Sequence, residues 1–204
     1  LNAGLTHFLG MLEDMIGSKV TNVTGAARVL RRQAPIVPGL HDYRLRTKTT
    51  LTAAEAANLE WRDCDADNAF SALLQFAPSR PDASPVEVYM NVSAMAGRNA
   101  PTNGWYFYGD KGTLIGDGFV SLNVFRQDDA TAEREPFPIP SHLLAALPQV
   151  GDEIQNKWAA LSRDFVADIR GEPYAPYLTF HHGWRYQEAI DAIRSGHSWV
   201  ALPT

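Results

Sequence analysis

Cysteine occurs once in these 204 residues, at Cys64, so no disulfide can close within the chain. A small secreted scaffold stapled by disulfides is therefore excluded. Asp63 and Asp65 flank the thiol, and acidic neighbours disfavour a thiolate, so Cys64 reads as structural or incidental rather than nucleophilic. Also lacking is an apolar run approaching the ~18–20 residues needed to span a membrane. Basic runs are missing too: the 18 Lys and Arg and the six His are scattered, and the net charge is −5. Such a chain offers nucleic acid no electrostatic footprint. Neither G-x-G-x-x-G nor G-x-x-x-x-G-K-[ST] occurs, so no glycine loop of the kind that cradles nucleotide phosphates is expected. These residues read as no signal peptide and a cytoplasmic location is expected; the chain starts at Leu1 rather than Met, so its true N-terminus, with or without a targeting segment, is expected upstream.

What remains is a globular composition, 45% hydrophobic and 20% charged, in a chain long enough to bury a sizeable core. Leu5, Phe8, Leu9, Leu12 and Ile16 recur at helical spacing and Gly17 follows as a stop. Lys19–Leu30 starts β-branched and predicts a first strand. Residues 31–66 mix prolines, glycine and basic residues, and predict a long excursion with an irregular strand or two and a helical turn around TAAEAANLEW. From Asp67 the pattern turns to strands. In PVEVYMNVSAM, Val86, Val88, Met90, Val92 and Ala94 alternate with Glu87, Tyr89, Asn91 and Ser93, the mark of a half-buried antiparallel strand. No helix of useful length interrupts Asp67–Arg126, so hairpin-linked strands are expected rather than parallel βαβ units. The last third is helical. Ile154, Trp158, Leu161, Phe165 and Ile169 stripe one helix ended by Gly171 and Pro173; a second runs from about Gly183 to Arg194 and is expected to bury Trp184, Ala189, Ile190 and Ile193. WVALP closes the chain as a short strand. The expected fold is α+β, a mostly antiparallel open sheet with helices packed on one face, as a single domain over residues 1–204.

Among residues that carry chemistry, His7 is the sharpest. At 100° per residue it points almost opposite the stripe of Leu5, Leu9, Leu12 and Ile16, so it is no core histidine on that helix. Gly10 on its face is expected to leave room for another molecule. A neutral imidazole there can take a proton from an alcohol as a general base; a plain surface histidine is the alternative. His181 and His182 are adjacent, which suits a shared metal poorly, and no H-x-x-x-H or H-E-x-x-H spacing is present, so no metal site is expected. A role in starting the last helix stands beside a place on the wall of a substrate cleft. Tyr108–Gly118 (YGDKGTLIGDG) is turn chemistry between strands. Trp105, Tyr106 and Tyr108, and the basic-aromatic group Tyr43, Arg44, Arg46 and Lys48, suit either a ligand or a subunit interface.

Three stretches together, residues 2–17, 105–118 and 155–203, are similar in order and spacing to the C-terminal, substrate-side domain of the glucose-fructose oxidoreductase/inositol dehydrogenase (Gfo/Idh/MocA) family. The resemblance implies an NAD(P)-dependent oxidoreductase acting on a sugar, cyclitol or similar hydroxylated compound. It implies that His7, ten residues before Gly17, assists proton transfer at the substrate carbinol, and that the segment of His181 and His182 comes near the substrate. The acids usual four residues before and three after that histidine are replaced by Ala3 and Gly10; Asn2, one position out of register, is the nearest polar group and a candidate to orient a hydroxyl. The family's nucleotide-binding residues and catalytic lysine belong to a dinucleotide-binding half that this chain is expected to lack. NAD or NADP would then serve the full-length protein, with no cofactor-binding residue in this chain and no binding by the chain alone. A homo-oligomer is the expected partner state, and a non-catalytic binding or oligomerisation module of the same fold is the alternative function.

Overall fold

Residues 2–41, 49–93, 104–117, 121–128, 135–196 and 198–203 are described by a computed structural model. Contacts divide the chain into two compact units, Leu1–Met95 with Leu178–Thr204, and Ala96–Tyr177. Ala94 and the group Tyr43, Arg44, Arg46 and Lys48 lie outside the described residues.

In the first unit, β1 (Val20–Arg28), β4 (Ala69–Phe76), β5 (Val86–Ser93) and β10 (Val200–Ala201) make an antiparallel sheet in the order β10-β1-β4-β5. Register sets Phe70, Ala72, Leu74 and Phe76 beside Val92, Met90, Val88 and Val86. Because side chains alternate with period two, these residues share a face. That face meets α1 (Asn2–Ile16) and α5 (Phe180–Ser195): Leu5, Leu9, Leu12, Ala189, Ile190 and Ile193 are buried with Val20, Val23, Phe70, Leu74 and Phe76. Each large apolar side chain so buried contributes roughly 1.5–3 kcal/mol. The other face, with Leu73, Glu87, Tyr89, Asn91 and Ser93, is exposed. Helices therefore cover one face only, as the α+β expectation has it.

Between β1 and β4 the chain forms β2 (Gln33–Pro35), α2 (Ala53–Ala57) and β3 (Trp61–Asp63), with β2 and β3 paired antiparallel. Thr52 and Glu55 close a reciprocal capping box on α2. The helix predicted for 183–194 starts earlier, at Phe180, and one of its expected core residues is corrected. Trp184 is 46% exposed, whereas Arg185 and Tyr186 are each 2% exposed.

In the second unit β6 (Gly104–Gly109), β7 (Gly112–Asp117), β8 (Ser121–Arg126) and β9 (Glu135–Phe137) form a simple antiparallel meander. Asp110 and Lys111 make the turn between Gly109 and Gly112. α3 (Ser141–Ala145) and α4 (Glu153–Arg170) follow. Asp152 and Gln155 cap α4 reciprocally, and Gly171, at φ 70°, ends it in the left-handed conformation. Its stripe forms at the predicted spacing, with Ile154, Trp158, Leu161, Phe165 and Ile169 all exposed. The Tyr177 hydroxyl donates to the Asp168 carboxylate and its ring meets Phe165 edge-on, 6.0 Å between centroids, which holds the chain after α4 against its last turns.

Candidate functional site

α1 owes its placement to a buried polar knot that sequence reading missed. Glu13 sits on the helical stripe of Leu5 and Leu9, where a charge must find partners or pay for desolvation. Its Oε1 accepts the Val20 amide at 3.1 Å and Arg185 Nη1 at 3.0 Å, and its Oε2 accepts the Tyr186 hydroxyl at 2.9 Å. Arg185 donates further from Nε to the Pro203 carbonyl at 3.0 Å and from Nη2 to the Val20 carbonyl at 2.7 Å. One guanidinium and one carboxylate thus tie together α1, the start of β1, α5 and the chain end after β10. Burial first, and then the Glu13 hydrogen bond, push the Tyr186 hydroxyl well above the usual phenol range. The signal was available: Glu13 lies four residues after Leu9, and Arg185 four before Ala189, each charge on a buried stripe.

His7 is exposed, as its position opposite the apolar stripe predicts, and it makes no hydrogen bond among the described residues. Gly10 corrects the expected space beside it. The residue is buried, and a Cβ there would lie 2.6 Å from Leu178 Cδ1 and 3.5 Å from the Tyr186 hydroxyl. Gly10 serves close packing of α1 against the chain entering α5, and the exposed face around His7 is that of Asp14 instead. Asn2 opens α1; its side chain lies outside what the structure describes.

His181 and His182 belong to the first turn of α5. His182 Nδ1 accepts the Thr179 amide at 3.1 Å and lies 2.9 Å from its hydroxyl, so this ring closes the helix start. The exposed His181 ring lies 5.4 Å from that of Trp184. These two residues are not brought to His7. Gly4 near the α1 start lies against Phe70 at the beginning of β4, and Arg194 near the α5 end pairs with Asp67 just before β4. The Glu13–Arg185 bond joins the late part of α1 to the early part of α5. The helices are therefore antiparallel, with His7 in the leading half of one and His181 and His182 at the opposite end of the pair.

Could these residues hold a dinucleotide? The described glycines with positive φ are Gly17, Gly39, Gly112, Gly171 and Gly196. Gly17, Gly171 and Gly196 follow the ends of helices, Gly112 begins a strand and Gly39 lies in a loop, so none opens a helix toward a phosphate. Among the described residues no group of three His, Cys, Asp or Glu could hold a metal ion, and no helix is long and apolar enough to cross a membrane.

The sequence matches no protein-family model and no curated protein. Its fold, however, is found in solved structures. An NAD-binding oxidoreductase from Klebsiella pneumoniae aligns with a TM-score of 0.61 at 20% identity, over 98% of this chain and 49% of its own. An oxidoreductase domain protein from Kribbella flavida aligns with a TM-score of 0.59 at 18% identity, over 98% of this chain and 50% of its own. Levoglucosan dehydrogenase in complex with NADH and levoglucosan gives a TM-score of 0.61 at 17% identity, over 98% and 49%. The chain thus has an α+β fold that recurs within NAD-binding oxidoreductases, and it spans about half the length of the structures it resembles.

Proposed function

We propose that residues 1–204 form one substrate-side domain of an NAD(P)-dependent oxidoreductase of the Gfo/Idh/MocA type. The substrate would be a sugar, a cyclitol or a related polyol. The observation that carries this reading is the alignment of 98% of the chain with about half of a levoglucosan dehydrogenase that holds NADH and levoglucosan. NAD or NADP, bound by residues outside this chain, would supply the hydride chemistry. This chain's own part is proton transfer and substrate contact. His7, exposed on a helix anchored through Glu13, accepts the proton of the substrate hydroxyl, and Asn2 orients a hydroxyl. His181 and His182, at the other end of the helix pair, are the weaker members of the proposed substrate-binding set. A cytoplasmic location and a homo-oligomer joined through the open sheet face belong to the same proposal.

The test uses the full-length protein, assayed with NAD and NADP against a panel of sugars and cyclitols. His7→Ala is expected to lower turnover ~10²–10⁴-fold, the usual scale for a lost general acid or base. His7→Gln is expected to be nearly as impaired, and both to melt like the parent because no buried contact is removed. Full activity in both variants would sink the role of His7. A second reading, a non-catalytic module of the same fold, draws on one observation: no group among the described residues orients His7, whereas a general base is commonly held by a third group. Absence of turnover in the parent on every panel member, with polyol binding retained, would favour it.

A further inference from the structure

The turn after β1 borders a cleft of about 610 Å³ lined by Arg28, Val29, Leu30, Arg32, Asp63 and Cys64. It is open to solvent, with Arg28, Leu30, Arg32 and Asp63 exposed and Val29 and Cys64 half-buried. The cleft's backbone is fixed from two sides. Asn68 Oδ1 accepts the amides of Leu30 at 2.7 Å and Arg31 at 3.2 Å, while its Nδ2 donates to the Arg31 carbonyl at 2.9 Å. Opposite, the Cys64 amide donates to the Arg32 carbonyl at 2.7 Å and so continues the β2–β3 pairing. Of the neighbouring charges, Arg62 pairs with Glu60 and Arg194 with Asp67, while the exposed Arg31 and Asp65 flank the lining on either side. Arg28 and Arg32 form no ion pair or hydrogen bond through their side chains among the described residues. Asp63 uses Oδ1 to accept Gln33 Nε2 at 2.9 Å, which leaves its second oxygen for another donor. A chain of net charge −5 therefore has two arginines with unpaired side chains among the residues lining one cleft, with Asp63 the one carboxylate among them. Val29 and Leu30 supply an apolar wall.

We infer that this cleft binds a small hydroxylated anion, such as a sugar acid or a sugar phosphate. Its carboxylate or phosphate oxygens bond the planar forks of Arg28 and Arg32, which suit oxyanions. A ligand hydroxyl donates to the second Asp63 oxygen, and the carbon skeleton lies on Val29 and Leu30. The inference stands apart from the oxidoreductase reading, since it is measured by binding without turnover.

Cys64 makes the test specific, because it is the sole cysteine and lines the cleft. The 204-residue chain is titrated with gluconate, glucose 6-phosphate, inorganic phosphate and glucose. Binding is followed calorimetrically, together with the rate at which iodoacetamide alkylates Cys64. Gluconate or glucose 6-phosphate is expected to bind saturably and to slow alkylation several-fold, while neutral glucose does neither. Inorganic phosphate competing with glucose 6-phosphate identifies phosphate as the recognised group; gluconate binding without such competition identifies carboxylate. The double variant Arg28→Gln, Arg32→Gln is expected to weaken binding at least ~10-fold, the loss of one or more charge-assisted hydrogen bonds. Arg80→Gln, an exposed arginine paired elsewhere with Asp82, is expected to leave it unchanged. The proposal is overturned if neither organic anion protects Cys64, if glucose protects it equally, or if the folded double variant binds as the parent does.

Discussion

At the residue scale, Glu13 and Arg185 decide whether α1 stays where it is. Their side chains are 10% and 2% exposed. A buried pair need not be more stable than a hydrophobic pair would be, but breaking it strands a charge. Glu13→Ala is therefore expected to destabilise the fold by ~3–5 kcal/mol, measured by urea unfolding. Tyr186→Phe should cost less, and its cost should be full below pH ~10 and shrink at higher pH. The Tyr186 hydroxyl is held above its ordinary value, first by burial and then by Glu13. The folded chain thus keeps a proton that the unfolded chain loses, so this contribution is full below pH ~10, the unfolded phenol value, and is lost as pH rises through the folded one. Tyr177, pushed up to about 12 chiefly by its hydrogen bond to Asp168, acts in the same direction. Tyr186→Phe should flatten the alkaline limb of the stability curve without abolishing it. An unchanged limb would show that Tyr186 takes no part in it.

At the element scale, the β6–β7 turn is held by a glycine that has no substitute. Gly112 lies at φ 145°, and a Cβ there would sit 2.1 Å from the Phe125 carbonyl oxygen, which belongs to backbone and cannot rotate away. At Gly109, across the same turn, the nearest atom to an added Cβ is 3.6 Å away. Gly112→Ala is expected to cost at least ~2 kcal/mol and Gly109→Ala less than ~1 kcal/mol. Denaturation followed by the near-ultraviolet signal of Trp105 on β6 separates the two, and equal effects would refute the difference. Elements with a strong period were legible in the sequence: α1, β1, β4, β5, the β6–β8 meander, α4 and β10. β9 and α3 were not, because a strand of three residues and a helix of five, both beside prolines, have no room to display a period. The candidate site was legible in part. His7 could be placed by angle alone, since α1 is amphipathic. The space expected at Gly10 was misread because a small residue on a polar face looks the same whether a ligand or Leu178 fills the gap. Helical spacing marked Glu13 and Arg185 as charges on buried stripes, but it could not pair them, because each partner lies at the far end of the chain.

At the scale of the whole molecule, the open sheet face of the first unit leaves apolar side chains exposed, as the stripe of α4 does in the second. β4 buries one side under α1 and α5, and on the other side Leu73 of β4 and Tyr89 of β5 are directly paired and 42% and 65% exposed. Glu87, Asn91 and Ser93 surround them on the same face. Two copies related by a two-fold axis would lay this face on itself, sheets ~10 Å apart, with Leu73 and Tyr89 of each copy in the centre and the polar residues at the rim. In the other unit the exposed rings of Tyr106 and Tyr108 stack at 6.4 Å, a second aromatic surface suited to the same purpose. Sedimentation equilibrium is expected to find a dimer at micromolar concentration. Under a two-fold axis every substitution counts twice. Leu73→Lys with Tyr89→Lys would bring four added positive charges into the apolar centre of the interface, and should weaken association at least ~100-fold, about 2.7 kcal/mol. Thermal unfolding of the variant in its monomeric state should stay close to that of the parent monomer, because neither side chain lies in the core beneath the helices. A parent that remains monomeric at several hundred micromolar, or a dimer indifferent to both lysines, would mean that the open face is not where the copies meet.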